Sequence, residues 1–194
     1  MTQKEFFLKK MCRIHSDIRE QLAERAAKNI EKYFALLRST GEEGIEDLIV
    51  AIDESTFKTV GSARHHHYIS GTLEHCLGVY RKMSHKAAWL RKLGVKVNES
   101  DVILVGLLHD ICNGRHPDWT ASGHGKRSKA IVKKYLPNVS DHVLEAIEKH
   151  MHSSSVLNSN PLCGLILMSD MPDSATCDKG YVKLSDKVTV PFME

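Results

Sequence analysis

Residues 98–113, NESDVILVGLLHDICN, decide the fold. From Val102 to Ile111 nearly every position is apolar, with no polar face to turn toward water. A helix that is apolar all round belongs at the centre of a protein. Asn98 supplies an N-cap, with Asp101 three residues on, so the predicted helix starts there. Within its buried length lies His109–Asp110, a titratable pair in the least accessible part of the chain. Burying an ionised carboxylate without compensation is costly, so something must answer the charge of Asp110. Taken alone, the pair also fits a hydrogen-bonded core histidine beside an aspartate at a hidden helix end.

Upstream, Leu73, Cys76, Tyr80, Met83, Ala87 and Leu90 form one helical stripe, His75 lies beside it, and Gly94 falls just past the end, where a left-handed cap is common. The segment from Ser62 to Gly71, with His65, His66 and His67, reads as a loop. Before it, apolar residues from Phe7 through Met11, Ile14, Ile18, Leu22, Ala26, Ile30 and Phe34 predict one long amphipathic helix from Lys4 to about Arg38. Gly41 and Gly44 break it, and a second helix passes through Ile45, Leu48, Ile49 and Ile52, ending near Thr59.

Downstream, a helix runs from about His124 to Leu136 and stops at Pro137; Ser140 caps another that ends near His150. Asn160 and Pro161 open the last, which reaches Asp170. The expected fold is all-α, a single compact helical bundle. Residues 1–61 form an N-terminal helical layer packing on a core of 62–178, and 179–194 form a short tail, extended or irregular.

Composition sets the surroundings. With 194 residues, 42% apolar and 26% charged, the chain is ordinary globular material. A net charge of +3 tolerates anionic substrates but falls short of a dedicated nucleic-acid binder. The five cysteines, Cys12, Cys76, Cys112, Cys163 and Cys177, are odd in number and show no CxxC spacing, which argues against a disulfide framework or a zinc ribbon. No apolar stretch approaches the roughly 18 residues of a membrane span. A cytoplasmic location is expected.

The 12 histidines are the chemical clue. Asp170 follows Ile166 and Leu167 on the face its helix should bury, and His150 shares a stripe with Val143 and Ile147. Helical bundles hold metals through inward-facing histidines and carboxylates, and mixed N/O ligation suits Mn, Fe, Co, Ni, Zn or, with more oxygens, Mg. A metal would answer the burial of Asp110.

Together, SGTLEHCLGVYRKM, VGLLHDIC, HGKRSKAIV, IEKHMH and LILMSD give the order H, HD, H, H, D. That ordered set resembles the HD-domain superfamily of metal-dependent phosphohydrolases, over roughly Ser62 to Cys177. The entry segment SARHHHYISGTLEH is similar to that of HD domains in exoribonucleases and related nucleotide hydrolases. The resemblance implies an HD-type helical bundle in which His75, His109, Asp110 and Asp170 ligate one divalent metal ion. Asp110 would bridge to a second, completed by His124 and His150. His109 and Asp110 become the catalytic pair. His116 is the rival to His124, and His152, about 200° around the helix from His150, is the poorer ligand. His15, His85 and His142 read as surface residues.

One position departs from the family's HDxxK pattern: Asn113 stands where a lysine is common. A neutral amide cannot balance phosphate charge, so Arg115, Lys126 and Arg127 are the expected substitutes, with His66 and His67 at the mouth of the cleft. The implied reaction is hydrolysis of a nucleotide, cyclic nucleotide or short oligonucleotide by metal-activated water. Phosphate-binding glycine loops, GxSxG and HExxH are absent. Two alternatives use the same residues: a di-iron oxygenase, disfavoured by the lack of its usual Tyr and Glu pair, and an HD-like binding module, favoured by Asn113. The N-terminal helices offer a surface for a homodimer.

Overall fold

The apolar run forms α5 (Glu99–Leu108), with Val102, Leu104, Val105, Leu107 and Leu108 wholly buried. These positions come from a computed structural model that describes residues 1–10, 16–59, 61, 66, 68–112, 123–152, 159–176, 181–185 and 188–191, and of 16–18, 175–176, 181–185 and 188–191 the backbone alone. Asn98 caps α5 as expected, its Oδ1 accepting from the Ser100 amide at 3.0 Å. Asn98→Ala should lower stability by about 1 kcal/mol, read as a shifted urea midpoint with unchanged slope.

The long stripe of residues 73–90 becomes α4 (Gly71–Lys92), which packs closely on α5. Gly106 makes that approach possible, since a Cβ there would lie 2.8 Å from Tyr80 Cα. Gly94 adopts the left-handed conformation, φ 84°, past the end of α4. Around this pair lie α6 (His124–Tyr135), α7 (Asp141–Lys149) and α8 (Pro161–Thr176). α7 and α8 both contact α5, and α6 packs on α7. Ser140 caps α7 through the Val143 amide at 3.3 Å, and Asn160 Oδ1 accepts from Leu162 N at 3.1 Å at the start of α8. The fold is all-α, and among the described residues no helix is long and apolar enough to cross a membrane.

Three expectations change. The predicted helix from Lys4 to Arg38 is two, α1 (Gln3–Lys10) and α2 (Ser16–Ser39), packed on each other. Lys4 Nζ meets Glu20 Oε1 at 2.8 Å, although sixteen residues of one straight helix would span about 24 Å. A stripe of apolar residues is equally satisfied by one helix or by two that fold back to share a core. α1 is held at its far side by Gln3, which donates to Asp53 at 2.8 Å on α3 (Ile45–Glu54). Second, the tail is not irregular: β1 (Tyr181–Ser185) and β2 (Val188–Pro191) pair antiparallel, with Val182 opposite Val190. Val182, Val188, Thr189 and Val190 are β-branched, a residue type enriched in strands. Third, α8 passes beyond Asp170 to Thr176 with Pro172 inside it.

α2 ties the N-terminal helices to the centre. Tyr33 is wholly buried, and its hydroxyl donates to the Leu107 carbonyl at 2.5 Å. Leu107 lies in the last turn of α5, where carbonyls have no intrahelical partner. The same helix places Arg25 in an ion pair with Glu74, the residue preceding His75.

Candidate metal centre

His109 occupies the C-cap position of α5, and its Nδ1 donates to the Gly106 carbonyl at 3.1 Å. His150 repeats the device at the end of α7, with Nδ1 donating to the Ile147 carbonyl at 2.7 Å. Each bond fixes a tautomer and turns Nε2 inward. Both rings also stand at helix C-termini, where the partial negative charge of the last carbonyls favours a cation. His75, in the second turn of α4, donates through Nδ1 to Asp173 Oδ2 at 2.9 Å, and its Nε2 lies 3.1 Å from Asp170 Oδ1. His124 opens α6, with its Nε2 2.7 Å from His150 Nε2.

Two adjoining groups result, His75/His109/Asp170 and Asp110/His124/His150, each with its ligand atoms within 4.8 Å of one another and every member buried. Either group can hold a metal ion. The rings run continuously from one to the other, with centroids 5.3 Å apart for His75–His109, 5.1 Å for His109–His150 and 4.6 Å for His124–His150.

The donor set fits divalent cations on two observations. Asp110 Oδ1 is buried without a hydrogen-bond donor, and the Nε2 atoms of His124 and His150 stand 3.4 and 3.5 Å away. An anionic oxygen so placed has no hydrogen bond to replace the water it has lost. The Nε2 atoms of His75 and His109 face each other at 3.3 Å while both rings use Nδ1 as donor. Two lone pairs meet there unless a proton or a cation lies between them.

The charges agree. Burial pushes His75 down, but hydrogen bonds to Asp170 and Asp173 and the charge of Asp110 outweigh it and raise it to about 9. Burial, with the neighbouring His150 and His75, drives His109 down to about 4. Burial raises Asp110, yet His109, His150 and His75 together hold it well below the carboxylate range. Against burial, the neighbouring Asp110 carboxylate also raises His150, and in the metal-free protein the strongly raised His75 holds a proton. Because that pKa is raised above 6.5, the bound proton contributes stability below pH 6.5 that is lost as pH rises through about 9. A metal must displace it, so loading at pH 7.5 should release at least about one proton per chain and tighten toward pH 9. Calorimetric Mn²⁺ titrations in two buffers of different ionisation enthalpy check this; identical apparent enthalpies would contradict it.

A family model for the HD domain matches residues 72–188. The chain belongs to the HD-domain family. HD domains are typically metal-dependent hydrolases, and the two His/Asp groups of this one are compatible with divalent metals. No curated protein and no solved structure matches the chain.

In this HD domain the six residues named as ligands, His75, His109, Asp110, His124, His150 and Asp170, converge. His85, His142 and His152 are exposed. His66 is 8% exposed, with a positive φ of 50° and its ring centroid 5.3 Å from that of His75. Arg127 is half-buried, one turn beyond His124, and interacts with Cys112 beside the HD pair. Lys126 is exposed, its charge felt by Glu148. His15, His67, Asn113, Arg115 and His116 lie outside the described residues.

Asp173 was not foreseen. Reading α8 only as far as Asp170 left out the next acidic residue on the same face. The spacing Asp170–Asp173 was the available signal, since residues three apart are neighbours on a helix. Lys82, paired with Asp173, escaped for the same reason.

Proposed function

We propose that this HD domain is a metal-dependent phosphohydrolase acting on a nucleotide, cyclic nucleotide or short oligonucleotide. The observation that carries the reading is the buried, donorless Oδ1 of Asp110 between two histidine groups. His75, His109 and Asp170 would hold one divalent ion, His124 and His150 a second, and Asp110 would serve both. Such ions supply Lewis acidity, making water nucleophilic near neutral pH and balancing charge on a phosphoryl group. The carbonyl anchors of His109 and His150 hold the Nδ1 protons and leave each Nε2 aimed inward as the ligating nitrogen. The burial of both groups keeps bulk water from competing for the carboxylates.

Substrate charge falls to Arg115, Lys126 and Arg127, each near a proposed ligand in sequence, and His66 and His67 would line the entrance. These cations take over from the lysine that Asn113 replaces. The reading places the enzyme in a reducing cytoplasm, consistent with Cys76, Cys112 and Cys163 as free thiols.

The test is phosphate or nucleotide release from a panel of nucleoside triphosphates, cyclic nucleotides and short oligonucleotides with Mn²⁺, comparing wild type with Asp110→Ala. Turnover confined to the wild type is expected. A folded, metal-loaded wild type inert toward the whole panel would sink the phosphohydrolase reading and favour the oxygenase or the binding module.

A further inference from the structure

The imidazole of His75 is bracketed by two carboxylates from one helix. Asp170 stands 3.1 Å from Nε2 and Asp173 2.9 Å from Nδ1. Three residues apart on α8, the two acids fall on the same face, one turn from each other. α4 is built to match, with His75, Gly78 and Lys82 at intervals of three and four along one stripe. A Cβ at Gly78 would overlap Asp173 Oδ1, so the glycine leaves the notch in which that carboxylate sits. Lys82 then closes an ion pair on Asp173. His66 covers the cluster, its Nε2 3.6 Å from Asp173 Oδ2.

His66, His75 and Asp173 also lie close enough to form a third metal-binding group. The arrangement argues against that use. The Lys82 ammonium already occupies Asp173, so a divalent cation would be added beside a positive charge, and the Nδ1 of His75 is already engaged as a donor. What remains is a carboxylate whose position is set by a glycine notch and a lysine, and whose acceptor is aimed at one imidazole N–H.

We infer that Asp173 is a positioning residue for the metal centre: clamped by Lys82 in the notch at Gly78, it fixes the tautomer and orientation of His75 so that Nε2 serves as ligand. The inference rests on the metal-centre reading of His75, His109 and Asp170. A carboxylate behind a ligating histidine increases its basicity and locks its ring, and loss of such a partner typically costs about 10–100-fold in metal affinity.

Equilibrium dialysis of the chelator-stripped full chain against Mn²⁺ tests it, with wild type, Asp173→Ala and Asp173→Asn. The expected result is one of two binding classes weakened about 10–100-fold in Asp173→Ala and also weakened in the isosteric Asp173→Asn, with the other class unchanged. Should Asp173→Ala fail to fold, Asp173→Asn decides. Long-range ¹H–¹⁵N imidazole spectra of the Zn²⁺-loaded protein give a readout that a purely structural role would not move: His75 protonated at Nδ1 in the wild type, with that resonance shifted or lost in the variants. Folded variants that bind Mn²⁺ as the wild type does overturn the inference alone. A wild type that binds no Mn²⁺ overturns both it and the metal-centre reading.

Discussion

Asp110→Ala is expected to lose all of the thermal stabilisation that Mn²⁺ confers on the wild type. A ligand at 100 times its dissociation constant stabilises a folded protein by about 2.7 kcal/mol. For a chain of this size each kcal/mol moves the melting midpoint roughly 2–4 °C, so the wild type should gain about 5–10 °C and the variant almost nothing. The asymmetry follows from charge. Asp110 is the acid in the second group and also adjoins the first, its Oδ2 3.9 Å from His109 Nε2. Removing it leaves His124 and His150 with no anion between them. Turnover should fall with it: several kcal/mol of transition-state stabilisation, at 1.36 kcal/mol per decade, is at least about a thousandfold. Differential scanning fluorimetry with and without Mn²⁺ checks the first effect, and initial rates on the best panel substrate check the second. Equal Mn²⁺ shifts in variant and wild type would place the metal elsewhere.

Gly106→Val should cripple the centre from outside it. The Cβ would press on the α4 backbone at Tyr80, where a 2.8 Å approach to Cα leaves no flexible side chain to yield. Overpacking of this kind costs about 1–3 kcal/mol and is relieved only by moving whole helices apart. α4 carries His75 and α5 carries His109, whose Nε2 atoms lie 3.3 Å from each other, so separating the helices pulls the first metal group open. The carbonyl that anchors His109 belongs to Gly106 itself. We expect a midpoint lowered by roughly 2–12 °C and Mn²⁺ affinity weakened at least about tenfold, against a mere stability loss if α4 and α5 were not the jaws of the site. Thermal unfolding and Mn²⁺ dialysis on the same sample separate these outcomes.

Much of this architecture was legible because the physical signals were local. The apolar run of α5, the caps at Asn98 and Ser140 and the left-handed Gly94 each state one element through one rule. The misread elements are those in which one rule has two solutions. A stripe of apolar positions does not distinguish a long helix from α1 folded back on α2, because both bury the same residues. In sequence α8 reads only to Asp170, yet it continues through Pro172 to Thr176, and the added turn carries Asp173. The ligand candidates were readable from their order in the chain. The anchors behind them, Gly106 and Ile147 carbonyls and the Asp173 carboxylate, depend on helix ends and helix pairs meeting in space, which spacing along a chain does not encode.

The most direct measurement is hydrolysis of the best panel substrate by chelator-stripped protein as Mn²⁺ is titrated back. The proposed sharing of Asp110 by two adjoining metal sites predicts an inert stripped protein whose rate climbs to its full value as about two equivalents per chain are bound. A rate that survives stripping, or that reaches its full value without Mn²⁺ bound to the chain, would contradict the account.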